Sequence, residues 1–146
     1  MTGRAARGRK ATDLLGEVPL FQGLSRKELT AIAASGKEVS HPEGREIVKE
    51  GATEAAGFHL ILEGTAKVLA GKRTVNTLGP GDHFGEMSLL DGGPRSATVT
   101  ATTPVRTFSI TAWSFRPLLE RNPSIARKLL MEMSRRLRAA TKSHTH

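Results

Sequence analysis

Apolar and polar positions along this 146-residue chain change their period twice. Up to about Ser35, the stretch LLGEVPLFQGLSRKELTAIAA is broken into short pieces by Pro19 and Gly23. Ser25 followed by Glu28 has capping-box spacing, and Leu29, Ile32 and Ala33 then share one face, which predicts short helices. From Gly36 to Ile110 short runs (EIVKE, GFHLIL, TAKVLA, VRTFSI) alternate with PEG, EG, AGK and GPGD at close, fairly regular intervals, the texture of antiparallel strands closing into a small barrel or jelly roll. After Thr111 helical periodicity returns, first in AWSFRPLLER and then, behind Asn122-Pro123-Ser124, in SIARKLLMEMSRRLRAA. There Ile125, Leu129, Met133 and Leu137 form a stripe at a spacing of four that Leu130 widens. Trp113 and Phe115 are expected to pack between these trailing helices and the barrel. The pattern predicts a mainly β protein with flanking helices. A disordered basic arm (1–12) leads into one domain (13–140), made of a helical segment (13–35), an antiparallel jelly-roll barrel (36–111) and a helix pair (112–140); a frayed tail (141–146) follows.

Composition agrees with one domain, since 146 residues at 38% hydrophobic content suffice for a single core. No run approaches the eighteen or so apolar residues of a membrane span, and MTGRAARGRK lacks the apolar centre of a signal peptide, so a cytoplasmic protein without membrane contact is expected. The absence of cysteine excludes disulfides, thiolate zinc sites and cysteine nucleophiles. The net charge of +8 sits at the ends: residues 1–12 carry four basic groups and no acid, and residues 116–146 eight against two acids, leaving a body slightly negative. That distribution suits solvated tails and a charged helix face better than a nucleic-acid groove.

The chemistry concentrates in FGEMSLLDGGPRSATV, residues 84–99, where a carboxylate (Glu86) and a guanidinium (Arg95) flank a short apolar run and a Gly-Gly-Pro turn. If GEMSLL forms a helical turn opened by Gly85, its unpaired amides favour an anion, and Arg95 can return its fork of donors to the same group. Glu86 repels a phosphate but accepts from hydroxyls. The combination fits a ribose phosphate. Taken singly, Glu86 also suits a first helical turn, and Arg95 can serve as a partner for Asp82 or Asp91.

The run from Phe84 to Leu90 and on through Pro94-Arg95-Ser96-Ala97-Thr98-Val99 closely resembles the phosphate-binding cassette of cyclic nucleotide-binding domains, as in catabolite activators, cAMP-dependent kinase regulatory subunits and gated channels. Gly51, Gly64 and Gly79-Pro80-Gly81-Asp82 fall where that family places its barrel turns, and the resemblance covers residues 14–140. It implies a receptor for a cyclic nucleotide, with Glu86 accepting from the ribose 2′-hydroxyl and Arg95 pairing the exocyclic phosphate oxygens. Backbone amides around Gly85, Glu86, Met87 and Ser88 and at Ser96 and Ala97 would complete the phosphate cradle. It further implies Val48, Leu78 and Met87 as base-pocket residues, and Arg136, Leu137 and Thr141 of the last helix as candidates for a cap over the base. The Arg-Ser-Ala triplet matches catabolite activators, which favours cAMP over cGMP, although the Ser96 hydroxyl can also serve the 2-amino group of a syn guanine.

The same resemblance implies no enzyme, no cofactor beyond the nucleotide and no nucleic-acid contact by this chain alone. It leaves the effector protein unknown, allows a homodimer along the last helix, and keeps an effector-free interaction module as the alternative. A metal-dependent barrel enzyme would draw on His41, His59, Glu63, His83 and Glu86, but the His-x-His pair such enzymes use occurs only at His144 and His146, so no metal is expected. Ligand is expected to act by population shift, redocking the trailing helices.

Overall fold

The computed structural model describes residues 11–52 and 57–142. The N-terminal pieces are helix α1 (Ala11–Leu15), a 3-10 turn at Pro19–Phe21 and helix α2 (Arg26–Ala34). Ser25 caps α2 reciprocally: its hydroxyl accepts from the Glu28 amide at 3.1 Å, and Glu28 Oε1 accepts from the Ser25 amide at 2.8 Å. Strands β1 (Lys37–His41), β2 (Glu46–Val48), β3 (Gly57–Glu63), β4 (Ala66–Ala70), β5 (Arg73–Leu78) and β6 (His83–Phe84) follow. After them come the short helix α3 (Glu86–Asp91), β7 (Thr98–Ala101), β8 (Val105–Thr111), α4 (Ala112–Arg121) and α5 (Pro123–Lys142).

The strands make two four-stranded antiparallel sheets, ordered β1-β8-β3-β6 and β2-β7-β4-β5. The fold is a jelly roll of two sheets, and among the described residues no ladder joins them into a closed barrel. The first sheet is covered on both faces, which explains the near-continuous apolar run GFHLIL. Phe58, Leu60 and Leu62 of β3, with Phe108 and Ile110 of β8, face the helices and bury Leu15, Phe21, Ile32, Phe115, Ile125 and Leu129 in one core. The opposite face meets the second sheet in a smaller core of Ile61, Ala66, Val99, Ala101 and Val105. A polar chain also runs along that inner face: His41 Nε2 to Thr107 Oγ1 at 3.1 Å, Thr107 to Ser109 at 2.9 Å and Ser109 to His59 Nδ1 at 2.7 Å.

Three expectations need correction or qualification. Trp113 does not pack between helix and barrel but is 82% exposed. The buried face of α4 is set by Phe115 and Leu118, and at about 100° per residue Trp113 lies far round the helix from Phe115. Helix α5 continues to Lys142, so Thr141 is helical rather than part of a frayed tail, there being no breaker between Ala139 and Lys142. The apolar stripe of α5 divides: Ile125 and Leu129 are buried and Met133 half-buried, whereas Leu137, Leu130 and Met131 are exposed. The arm at 1–10, and His144 and His146, lie outside the described residues. Among the described residues no helix is long and apolar enough to cross a membrane.

Candidate functional site

Helix α3 is preceded by its N-cap Gly85, whose φ of 89° is left-handed backbone. A Cβ at this position would stand 2.2 Å from Gly57 O and 2.6 Å from Arg95 Nη1, so only glycine lets β3, α3 and the Arg95 side chain meet here. The first intrahelical bond runs from the Leu89 amide to Gly85 O at 2.9 Å, leaving the amides of Glu86, Met87 and Ser88 without acceptors inside the helix. Beyond α3 the turn is pinned by its own polar groups: the Gly93 amide donates to Asp91 Oδ1 at 2.7 Å, and the Ser88 hydroxyl donates to Gly93 O at 3.2 Å. The backbone of Arg95 then pairs with the 51–52 turn, its amide donating to Ala52 O at 3.0 Å and its carbonyl accepting from the Gly51 amide at 2.8 Å.

That frame delivers the Arg95 side chain to the interior, 7% exposed, with Nη1 donating to Gly57 O at 2.6 Å. Burial pulls its pKa down, yet an arginine stays charged in a protein. Below it His59 is held neutral, its pKa pushed down to about 3 by burial and then by the charges of Arg95 and His41. The guanidinium thus stands buried at the cavity wall with the Gly57 carbonyl on Nη1, a cation able to receive an anion there.

Glu86 is held from two sides. His83 Nδ1 lies 2.7 Å from Oε1, and Arg136 Nη1, from α5, donates to Oε2 at 3.1 Å. The close approach of His83 lowers the Glu86 pKa, against burial, with Arg136 adding to the lowering, so the group is a carboxylate that accepts. Asp82 and Asp91 close turns instead, accepting from the amides of Gly79 and Gly93.

Between these groups lies a cavity of about 600 Å³, within the range of small-molecule sites. Its lining brings together Val48, Gly85, Glu86, Met87, Ser88, Arg95, Ser96, Ala97 and Arg136 of the sequence-predicted residues. Leu78 is not among them: it stands on β5, half-buried against the small inter-sheet core. Leu137 and Thr141 are exposed on α5 and do not line the cavity either. Arg136 reaches the carboxylate of Glu86, not a position limited to capping a base.

Val68, Phe84, Val99 and Met133, which sequence reasoning did not single out, supply much of the apolar wall. Val99 pairs in register with both Val48 and Val68, so three strands present one valine row to the cavity. Periodicity marks those valines as inward-facing but does not separate cavity wall from core. His83, a metal-donor candidate by sequence, stands instead 2.7 Å from Glu86 Oε1; its spacing of three from Glu86 is the only signal in the sequence. A second cavity of about 230 Å³ adjoins the first at Val48 and Arg95 and reaches His59. The metal-donor candidates are dispersed, His41 on Thr107, His59 on Ser109, His83 on Glu86 and Glu63 on Arg106. Among the described residues no three His, Asp or Glu side chains are grouped to hold a metal.

Known proteins resemble this chain in sequence and in fold. Residues 38–122 match the family described as cyclic nucleotide-binding domain. The chain is 30% identical over 133 residues to a CRP-like cAMP-activated global transcriptional regulator of Mycobacterium tuberculosis, covering 86% of this chain and 58% of that protein. It is 37% identical over 116 residues to a cAMP-dependent protein kinase regulatory subunit of Colletotrichum orbiculare, covering 78% of this chain and 29% of the other. The chain therefore spans under two thirds of the length of these relatives. Among solved structures, the N-terminal domain of a transcriptional regulator from Streptomyces coelicolor A3(2) superposes with a TM-score of 0.83 at 30% identity, covering 92% of this chain and 96% of that one.

Proposed function

The chain belongs to the cyclic nucleotide-binding domain family, and from that premise we propose that it is a sensor module for cAMP in preference to cGMP, with ligand shifting the docking of its C-terminal helices. The observation that carries this is the convergence on one cavity of the buried Arg95, the carboxylate of Glu86 and the α3 amides. In this assignment Arg95 leaves Gly57 O to pair the phosphate oxygens, the amides of α3 and of Ser96 and Ala97 complete the cradle, and Glu86 accepts from the ribose 2′-hydroxyl. The valine row with Phe84 and Met133 receives the base. The module binds and releases its ligand unchanged: every polar group assigned here holds an oxygen of the nucleotide, and none is given a role in attack or proton transfer.

Preference for cAMP rests on the Arg95-Ser96-Ala97 triplet and on the cAMP named in both relatives' descriptions. Ser96 is exposed at the cavity rim, where its hydroxyl can reach either phosphate or a syn guanine amine. Exposed Leu130, Met131 and Leu137 on α5 form the face assigned to a second copy of the chain, to be checked by equilibrium sedimentation across a wide concentration range. A monomer at every concentration removes the dimer. The function itself is tested by equilibrium dialysis with labelled cAMP, competed by cGMP and by 5′-AMP. Displacement by cGMP only at higher concentration than by unlabelled cAMP is expected, with Ser96→Ala weakening cGMP more than cAMP. A tenfold preference for cGMP, about 1.4 kcal/mol, overturns the cAMP assignment, and no retention of labelled cAMP, nor of labelled cGMP in a parallel dialysis, overturns the sensor.

A further inference from the structure

Three side chains stand in one register row across the first sheet: Ser109 on β8, His59 on β3 and Phe84 on β6. The row pins the His59 ring from both sides. Ser109 Oγ lies 2.7 Å from Nδ1, and the Phe84 ring, part of the wall of the larger cavity, stacks on the imidazole with centroids 5.0 Å apart and planes at 24°. Gly57, two residues along β3 and so on the same face, accepts from Arg95 Nη1 at 2.6 Å. His59 and Arg95 together line the cavity of about 230 Å³, with exposed Glu46 and Lys49, of opposite charge, also in its lining. Because Nδ1 is committed to Ser109, the polar atom the ring has left for that cavity is Nε2.

The far end of the polar chain decides which nitrogen of His59 carries the proton. Burial keeps both His41 and His59 neutral, so each ring holds a single N–H. The contacts from His41 Nε2 to Thr107, from Thr107 to Ser109 and from Ser109 to His59 Nδ1 can run in either sense, since a hydroxyl both gives and takes. Thr107 is fully buried, so its hydroxyl hydrogen needs an acceptor within the chain. Nδ1 of His41 is buried without a hydrogen-bond partner among the described residues. Run one way, the chain leaves an N–H stranded there; run the other way, it leaves only a lone pair, and a stranded N–H is the costlier of the two. His41 Nε2–H therefore donates to Thr107, Thr107 to Ser109, and Ser109 to His59 Nδ1. The proton of His59 is left on Nε2.

We propose that His59 is a further donor for the phosphate of the ligand, presenting Nε2–H beside Arg95 and reaching the phosphate through water held in the smaller cavity, and that Ser109, Thr107 and His41 are positioning residues that fix this tautomer. The inference rests on the sensor assignment above. A water that accepts from Nε2–H has both its hydrogens to give, and a phosphate oxygen paired by Arg95 accepts one of them. The cavity is polar at this end and large enough for such a water. A neutral donor here adds a contact for the anion without placing a second buried cation next to Arg95. The contact reads the phosphate alone, so it strengthens every cyclic nucleotide alike and leaves the choice of base to the other wall.

The test joins tautomer assignment to affinity. Two-bond proton–nitrogen correlation on the ligand-free wild type is expected to show Nε2–H on both His59 and His41. His59→Phe keeps a ring to stack on Phe84 and removes the donor; it is expected to weaken cAMP and cGMP by the same factor, about threefold to tenfold, the size of one hydrogen bond. His59→Gln, which retains a donor, is expected to keep more of the affinity. Ser109→Ala is expected to give His59 a mixture of tautomers and a smaller loss for both nucleotides. An Nδ1–H on His59 in the wild type overturns the proposal, and that readout needs neither a ligand nor a folded variant. Unchanged affinity in folded His59→Phe overturns it too, as does a loss confined to one of the two bases, which would place the effect on Phe84. Ser109→Ala with the tautomer unaltered overturns the positioning role. A wild type that binds neither nucleotide is a failure of the sensor assignment, and the tautomers remain readable in it.

Discussion

The two halves of α5 share one amphipathic sequence pattern and are held by different physics. The first half is anchored by burial, with Ile125 and Leu129 at 0% and 3% exposure in the helix-side core, and by Glu28 of α2, which accepts from Lys128 Nζ at 2.7 Å and from the Ser124 hydroxyl at 2.5 Å. The second half leaves Leu137 at 68% exposure, and Arg136 within it donates to Glu86 at the cavity wall. One half is therefore part of the fold, and in the proposed function the docking of the other depends on the state of the site. In a two-state sensor a single helix needs that asymmetry: a fixed stem to transmit from and a segment whose docking costs little to change.

The largest expected effect breaks the comparison on its hydrophobic side. Ile125→Ala should destabilise the protein by about 2–5 kcal/mol in urea unfolding, since it opens a cavity in the main core, whereas Leu137→Ala should stay within about 0.5 kcal/mol. Comparable losses at the two positions would mean that the second half is packed as firmly as the first.

Next in size is Arg95→Ala, which removes the proposed phosphate partner while touching neither anchorage of α5. Charge-assisted hydrogen bonds are worth about 1.5–3 kcal/mol, so cAMP affinity should fall at least tenfold, read by displacement of labelled cAMP, with exchange of the first half of α5 unchanged. Unaltered affinity in a folded variant removes Arg95 from the phosphate site.

The smallest effect sharpens the polar side of the anchorage. The hydrogen bond from Lys128, followed by that from Ser124, holds the Glu28 carboxyl at about 2, against an ordinary value of 4.5. A carboxyl depressed in the folded state contributes stability that is complete above its unfolded pKa and is lost as the pH falls through the folded value. The stability difference between wild type and Glu28→Gln should accordingly be constant from pH 7 to about 5 and shrink between about 4.5 and 2. A difference that persists unchanged at pH 2 would assign the contribution of Glu28 to packing and not to its charge.

Much of this architecture was legible in the chain because local rules and tertiary context agree. The Ser25–Glu28 box, the strand runs of β3, β4 and β8, and the start of α5 after Asn122-Pro123 each carry a local signal that the fold keeps. The helical turn at Glu86–Asp91 and the return of Arg95 to it were readable from Gly85 and the Gly92-Gly93-Pro94 turn. What escaped depends on which face meets which neighbour. Trp113 looks like core by type, but its angular offset from Phe115 leaves it in water. Leu78, Val68 and Val99 are equally apolar strand residues, and only the register of β2, β7 and β4 sorts the cavity row from Leu78 on the edge strand. The stripe through Leu137 was visible as periodicity, while the point where burial stops is decided by where the partner helices and sheet end. Arg136 and His83 converge on Glu86 from elements far apart in sequence or through a turn, and neither carries a local motif that names its target.

Calorimetric titration of the purified chain with cAMP tests the central claim most directly. The expected result is a saturable heat with one site per chain, with cGMP binding the same site no more tightly than cAMP. Absence of any saturable heat from either nucleotide, in protein shown by circular dichroism to be folded, would contradict the assignment of the Glu86–Arg95 cavity as a cyclic nucleotide site.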